Sequence, residues 1–345
     1  MTAQNRSAIR RKGERLALPL AALVALALSL ATLFVGKYDL DLPTVVRILA
    51  SPVVPMEHDW PASMETVVLQ VRVPRMLAAL LVGAALSVSG ATYQGVFRNP
   101  LVAPDLLGVS SGACVGAALG IVTHAGAVSV QLFALAGGLA AVFATLWLSR
   151  RFRGSSTVLL VLAGIIVSGF ATSALGLIKY TADPDTELAE IVYWQMGSLA
   201  SVQMDDVVRV LPGMLVAFAV LLALRWRIGL LALGDGQATS LGVDVRRLRL
   251  VAILCATVLT ASAVCICGAI AWIGLVVPHL CRLLVGPNTE RIVPLSLLVG
   301  GAFLTLSDIL ARMLTTAVLP LSVVIGFVGA PLFAWLVWRQ GRVVA

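Results

Sequence analysis

Residues 16–36 read LALPLAALVALALSLATLFVG, a run with no charged residue. As a helix it rises roughly 30 Å, the thickness of a bilayer's hydrocarbon core. Arg6, Arg10, Arg11, Lys12 and Arg15 precede it. The run is longer than a secretory h-region and no A-x-A cleavage site follows, so it reads as an uncleaved first span with its basic flank in the cytoplasm.

Working outward, nine further apolar runs bounded by charges or turn residues are predicted spans: 66–90, 105–124, 127–149, 157–180, 206–225, 248–270, 271–286, 292–314 and 319–338. The composition agrees: 59% hydrophobic and 12% charged residues, with a mean hydropathy of +0.99, exclude a soluble protein. Ten spans need about 200 of the 345 residues, which leaves no room for a separate soluble domain. The fold class is therefore all-α, a polytopic membrane protein of one transmembrane domain over 1–345. A basic tail at 1–15 and an inner loop at 226–249 complete it. With the N-terminus inside, inner segments carry 18 of the 25 basic residues against five acids, so the positive-inside rule places both termini in the cytoplasm. The net charge of +8 is scattered and forms no face for nucleic acid.

Motifs for chemistry are sparse. The five cysteines (Cys114, Cys255, Cys265, Cys267 and Cys281) sit mostly inside apolar runs, and Cys265 and Cys267 point to different faces of a helix. They read as small packing residues. His58, His124 and His279 have no ligand spacing, so no metal is expected. Neither H-E-x-x-H nor a pair of intramembrane carboxylates occurs, which disfavours a membrane enzyme. No G-x-x-x-x-G-K-[ST] occurs either, so the chain has no P-loop for ATP. The acid deepest in a span is Asp308, with Arg312 four residues on along the same face to neutralise it. One paired acid is too little for a typical ion-coupled carrier.

Three features remain. Gly108, Gly112, Gly116 and Gly120 form a stripe that reads as close helix packing. Arg72 and Arg75 flank Pro74, which places a helix start there; two cations at that end need an answering anion, from Asp59, Glu65, lipid phosphate or a partner's carboxylates. In the inner loop, Gly234 to Gly242 reads as one short helix with Asp235 as N-cap and Gly242 as stop. Leu230, Leu231, Leu233 and Leu241 give it an apolar side, suited to the membrane surface or to a groove in a cytoplasmic partner.

The ordered blocks Arg72-Val73-Pro74-Arg75, Arg98-Asn99-Pro100-Leu101 through Ser110-Ser111-Gly112-Ala113, Tyr193-Trp194-Gln195-Met196-Gly197-Ser198-Leu199, Leu233-Gly234-Asp235 to Leu241-Gly242, Gly274 to Arg282, Asp308 to Arg312 and Gly329-Ala330-Pro331 resemble the permease subunits of bacterial ABC importers for iron–siderophore, haem and cobalamin. They run in family order over about 80% of the chain.

The resemblance implies a type II importer permease of ten helices in the inner membrane. It would work as a homodimer above two cytoplasmic ATPase subunits and below a periplasmic substrate-binding protein. ATP and magnesium would sit on the ATPase and no cofactor on this chain. A metal chelate, most naturally a ferric siderophore, with haem, cobalamin or molybdate as alternatives, would pass along the dimer interface. By the same resemblance, Arg72, Arg75 and Arg312 dock the binding protein, Asn99, Leu101 and Thr157 form the cytoplasmic gate, and Gly234, Asp235, Ala238, Leu241 and Gly242 belong to the coupling helix. Gly236, Val158, Trp272 and Ser322 depart from the family pattern.

Overall fold

A computed structural model describes residues 3–36, 38–51, 54, 59–151, 157–315 and 317–344, with side chains 3–15, 337 and 340–344 left aside. Fourteen α-helices follow one another along the described residues: α1 (Ala3–Phe34), α2 (Leu42–Ala50), α3 (Ala62–Thr66), α4 (Val73–Phe97), α5 (Val109–Val122), α6 (Ala127–Arg151), α7 (Thr157–Thr181), α8 (Glu187–Met196), α9 (Met204–Leu230), α10 (Asp235–Ser240), α11 (Val245–Cys267), α12 (Ile273–Val285), α13 (Thr289–Met313) and α14 (Leu321–Val344). Seven helical segments are long and apolar enough to cross a bilayer, with α3 and α4 counted as one. Three shorter apolar helices, α5, α12 and the 321–336 part of α14, fill the remaining places. These ten coincide with the ten predicted runs. The basic side chains from Arg6 to Arg15 lie outside the described residues, as do His58 and Arg153.

Two boundaries differ from the sequence reading for local reasons. The second span runs without a break from Ala62 to Phe97, because a π-helical turn, Val67–Arg72, carries α3 into α4. The third begins only at Val109: Pro104–Leu107 forms a 3-10 turn and Gly108 adopts φ 84°, a left-handed conformation that favours glycine. The amphipathic α2, capped by Asp41 through the Thr44 amide (3.2 Å), and the short α8 lie between spans.

α4 is the central helix, packed against α9, α11, α12 and α13. Small residues permit the contact. A methyl group on Gly90 would lie 1.9 Å from the Gly274 carbonyl oxygen, and one on Gly83 2.2 Å from that of Gly300. Hydroxyls stitch the same surface: Ser87 Oγ donates to Ser296 O (2.6 Å) and Ser89 Oγ to Ala256 O (2.9 Å), while the hydroxyls of Tyr93 and Thr257 share a 3.0 Å bond. In the absence of a hydrophobic force between helices in lipid, such close backbone approach and interhelical hydrogen bonds supply the cohesion.

The glycine stripe is the α5–α6 seam, as its spacing predicted. A methyl on Gly112 would lie 2.4 Å from Gly137 O, and one on Gly116 2.0 Å from Phe133 O. Gly108 serves instead as the left-handed turn before α5. All five cysteines are free thiols and four are buried, and the described residues contain no metal-binding cluster. By contrast α1 and α7 expose apolar sides, among them Leu20, Leu23 and Leu26, and Ile165, Phe170 and Leu177. The polar stitching is concentrated around α4.

Candidate functional site

α4 carries one arginine–aspartate cluster at each of its ends, about 35 Å apart. At the first, the structure brings together the three predicted arginines. Arg72 lies in the π turn and donates to the carbonyl oxygens of Leu33 (2.6 Å), Phe34 (3.1 Å) and Tyr38 (2.5 Å). Arg75 forks onto Asp308, with Nε 2.9 Å and Nη2 2.8 Å from Oδ1, and Nε 3.1 Å from Oδ2. Arg312 donates to Val35 O (3.1 Å) and to the Thr32 hydroxyl, and its Nε lies 3.2 Å from Asp308 Oδ2.

The helix start at Pro74 is therefore corrected. The helical backbone begins at Ala62, so Arg72 and Arg75 lie within a continuous helix. Arg72 and Arg312 meet the last carbonyls of α1, where the helix dipole and the unpaired acceptors both favour a cation. Neither loop acid answers the arginines: Asp59 pairs with Arg47 (2.7 Å), and Glu65 accepts from Trp60 Nε1 (3.3 Å). Asp308 is neutralised by Arg312, as the sequence suggested, and more fully by Arg75. The three arginines are only 5%, 7% and 9% exposed. They form an internal cluster whose acceptors all come from this chain, not a ring of free cations.

At the other end, α4 stops at Phe97. Arg98 takes φ 52°, ψ 31°, and the Asn99 amide returns to Gln94 O (3.2 Å). Asn99 Oδ1 then accepts from the Leu101 amide (2.9 Å), so the turn presents Asn99, Pro100 and Leu101 to the outside. Thr157 opens α7, with no hydrogen bond to Asn99 or Leu101 among the described residues. The segment before it, 152–156, lies outside the described residues.

The loop after α9 folds beside this turn. Leu231–Leu233 forms a 3-10 turn, and Gly234 reverses the chain at φ 104°. α10 follows and ends at Ser240 with Leu241 as its C-cap, and Gly242, at φ 80°, donates to Thr239 O (2.9 Å). The predicted short helix is present, but Gly234 is its N-cap; Asp235 is the first helical residue and its carboxylate is turned to arginines. Arg249 of α11 forks onto it (Nη1–Oδ2 2.9 Å, Nη2–Oδ1 2.8 Å), and Arg98 Nη2 lies 3.3 Å from Oδ1. Ala238 and Leu231 are buried inward, whereas Leu233 and Leu241 are 52% and 59% exposed. Of the four leucines in the predicted apolar side, two thus remain on the surface.

Arg98 and Arg249 were not singled out by the sequence. Their ordinary signal, a cation near a helix end, does not reveal that one distant aspartate gathers both. Two side-chain contacts were likewise missed: Ser110 donates to Asp105, and Lys179 of α7 donates to Gln195 of α8.

The family model described as the FecCD transport family matches residues 22–339. The chain belongs to that family. It is 38% identical over 315 residues to the molybdate import system permease protein of Haemophilus influenzae, covering 90% of this chain and 92% of that one. It is 41% identical over 278 residues to a probable iron chelatin transport system permease protein of Helicobacter pylori (81% and 84% covered). It is 38% identical over 293 residues to the hemin transport system permease protein of Yersinia pestis (83% and 84%). A solved metal-chelate type ABC transporter, in an inward-facing conformation, superimposes with a TM-score of 0.84 at 34% identity, over 93% of this chain and 98% of that chain. The chain is thus a multi-pass membrane permease of the ABC importer kind, and the all-α permease architecture expected from the sequence is the one observed.

Proposed function

We propose that a homodimer of this chain forms the inner-membrane pathway for a ferric siderophore or a related metal chelate. A periplasmic binding protein delivers the cargo, and two cytoplasmic ATPase subunits, which hold the ATP and magnesium, drive transport. The chain itself holds no cofactor. The observation that carries this reading is α10: a short helix outside every span, flanked by the exposed Leu233 and Leu241. Such a surface suits insertion into a groove of another protein, and the lack of a P-loop requires ATP hydrolysis to be supplied by that protein. Gly234, Asp235, Ala238, Leu241 and Gly242 shape the coupling element, and Asn99, Leu101 and Thr157 form the gate on that cytoplasmic side. Both termini face the cytoplasm, and the Arg72–Arg75–Arg312 cluster faces the periplasm.

For the binding protein we propose that the arginines act by position. Buried against α1 and Asp308, they hold the outer ends of α1, α4 and α13 in register as one platform. Molybdate is the second reading for the cargo, favoured by the relative from Haemophilus influenzae that aligns over nearly its whole length.

The test is reconstitution with the ATPase and binding protein. The chain alone should hydrolyse no ATP, and the complete complex should take up a labelled ferric chelate, or molybdate on the second reading, only with ATP present. Robust hydrolysis by the chain alone, free of contaminating ATPase, would sink the proposal. So would normal complex assembly after deletion of 235–242.

A further inference from the structure

We propose that Arg98 transmits movement of α10 to the Asn99–Leu101 turn, as a positioning residue that grips Asp235 on one side and sets the turn on the other. This rests on the permease reading above and adds a link between two of its parts. The turn and the coupling helix are separate in sequence and come from different spans, so a displacement of one reaches the other only through contacts between them.

Arg98 is built for that place. It is the C-cap of α4 in a left-handed conformation, which a residue other than glycine keeps only where its surroundings hold it. Its amide is tied back to Gly95 O (3.3 Å), and the next residue, Asn99, closes the turn that presents Leu101. Its guanidinium reaches Asp235 at the first position of α10 and lies beside Gly234, whose added methyl would meet Arg98 Nη1 at 3.7 Å.

The charges favour a shared grip. One carboxylate serves two guanidinium groups, and the fork with Arg249 takes the better geometry at 2.8 and 2.9 Å, while the Arg98 contact is 3.3 Å. Arg249 therefore holds α10 to α11 as a hinge post, and Arg98 is the looser arm to α4. Displacement of α10 changes the Arg98 contact first, and the residue bonded to Arg98 is the one whose side chain shapes the turn. The group is partly exposed (40% for Arg98, 48% for Asp235), so its attraction is modest and can be made and broken.

The experiment uses the permease assembled with its ATPase in nanodiscs, with native cysteines replaced and a spin label at Leu101→Cys on each copy. The inter-label distance is measured without nucleotide and after trapping with ATP and vanadate, and ATP hydrolysis is measured in parallel. In Arg98→Gln the nucleotide-driven change in distance should fall by more than half, while hydrolysis stays within two-fold; Arg98→Lys should restore most of the change. Asp235→Asn combined with Arg98→Gln should be no worse than Asp235→Asn alone. A full distance change in Arg98→Gln overturns the proposal. Failure of Arg98→Gln to assemble overturns it too, by placing Arg98 in the docking surface. If the complex with native Arg98 shows no nucleotide-dependent change, the permease reading fails, and this link with it.

Discussion

The two ends of α4 carry the same chemistry, arginines around one aspartate, in opposite settings. Around Asp308 (1% exposed side chain) the guanidinium groups of Arg75 and Arg312 are nearly dry, and Arg312 also donates to the Val35 carbonyl and the Thr32 hydroxyl at the end of α1. Around Asp235 (48% exposed) Arg98 is 40% exposed and Arg249 17%, beside exposed leucines. A buried pair is expensive to form and more expensive to halve, because the survivor is left as an uncompensated charge. An exposed pair is screened and adds little to stability. The first end therefore behaves as a rivet and the second as a contact open to exchange, which suits a platform at one face and a moving part at the other.

The largest effect should come from halving the rivet. Asp308→Asn leaves Arg75 and Arg312 with no anion, and we expect a loss of about 3–5 kcal/mol, read as a steep fall in the thermal midpoint of the detergent-solubilised protein. An unchanged midpoint would break the contrast outright. The same physics bears on docking experiments: Arg→Glu reversal at 72, 75 or 312 places a buried carboxylate against carbonyls or Asp308, so any loss of binding-protein affinity must be compared with the loss of stability.

Next in size is the seam between the two ends. Gly90→Ala forces a methyl onto the Gly274 carbonyl, where backbone meets backbone and no flexible side chain can yield. A destabilisation of about 1–3 kcal/mol is expected in the same assay. Gly236→Ala in α10 meets nothing within 4 Å and should leave the midpoint unchanged or slightly raised.

Smaller still is the exposed cluster. Asp235→Asn should shift stability by about 0.2–1 kcal/mol, and less in high salt, while ATPase pairing responds more strongly. Comparable midpoint shifts for Asp235→Asn and Asp308→Asn would erase the distinction drawn here.

The smallest expected effect is acid loosening of the connecting segments. Hydrogen bonding from Thr44 holds Asp41 below the usual carboxylate range, the Arg47 bond does the same for Asp59, and the amides of Asp185 and Thr186 do so for Asp183. A lowered folded value means each contributes above its unfolded value, near 3.9, and loses that contribution as pH falls through its own. Hydrogen exchange of 38–51, 59–66 and 181–187 should therefore stay flat from pH 7 to about 5, after correction for intrinsic rates, and rise below about 4. A rise already complete at pH 5 would assign the change to other groups.

How much could be read in advance follows from the range of each interaction. The spans were legible because transfer into hydrocarbon is a sum over about 20 neighbouring residues, so composition and charge boundaries suffice. The glycine stripe was legible for the same reason, since its period lies within one helix. The start of the second span was misplaced because Pro74 is tolerated inside a helix when a π turn precedes it, and local punctuation carries no sign of that turn.

By itself, then, the sequence determined a ten-span membrane permease, its short loop helix at 235–240 and the neutralisation of Asp308. Only the tertiary structure decided which partners the charges take: that Arg72, Arg75 and Arg312 are buried around the end of α1 and Asp308, and that Arg98 and Arg249 meet at Asp235. The reason is geometric. An arginine's reach is several ångströms in any direction, and which of the many distant carboxylates and carbonyls falls within it is settled by how the helices cross, through close approaches such as Gly90 on Gly274 and Gly83 on Gly300.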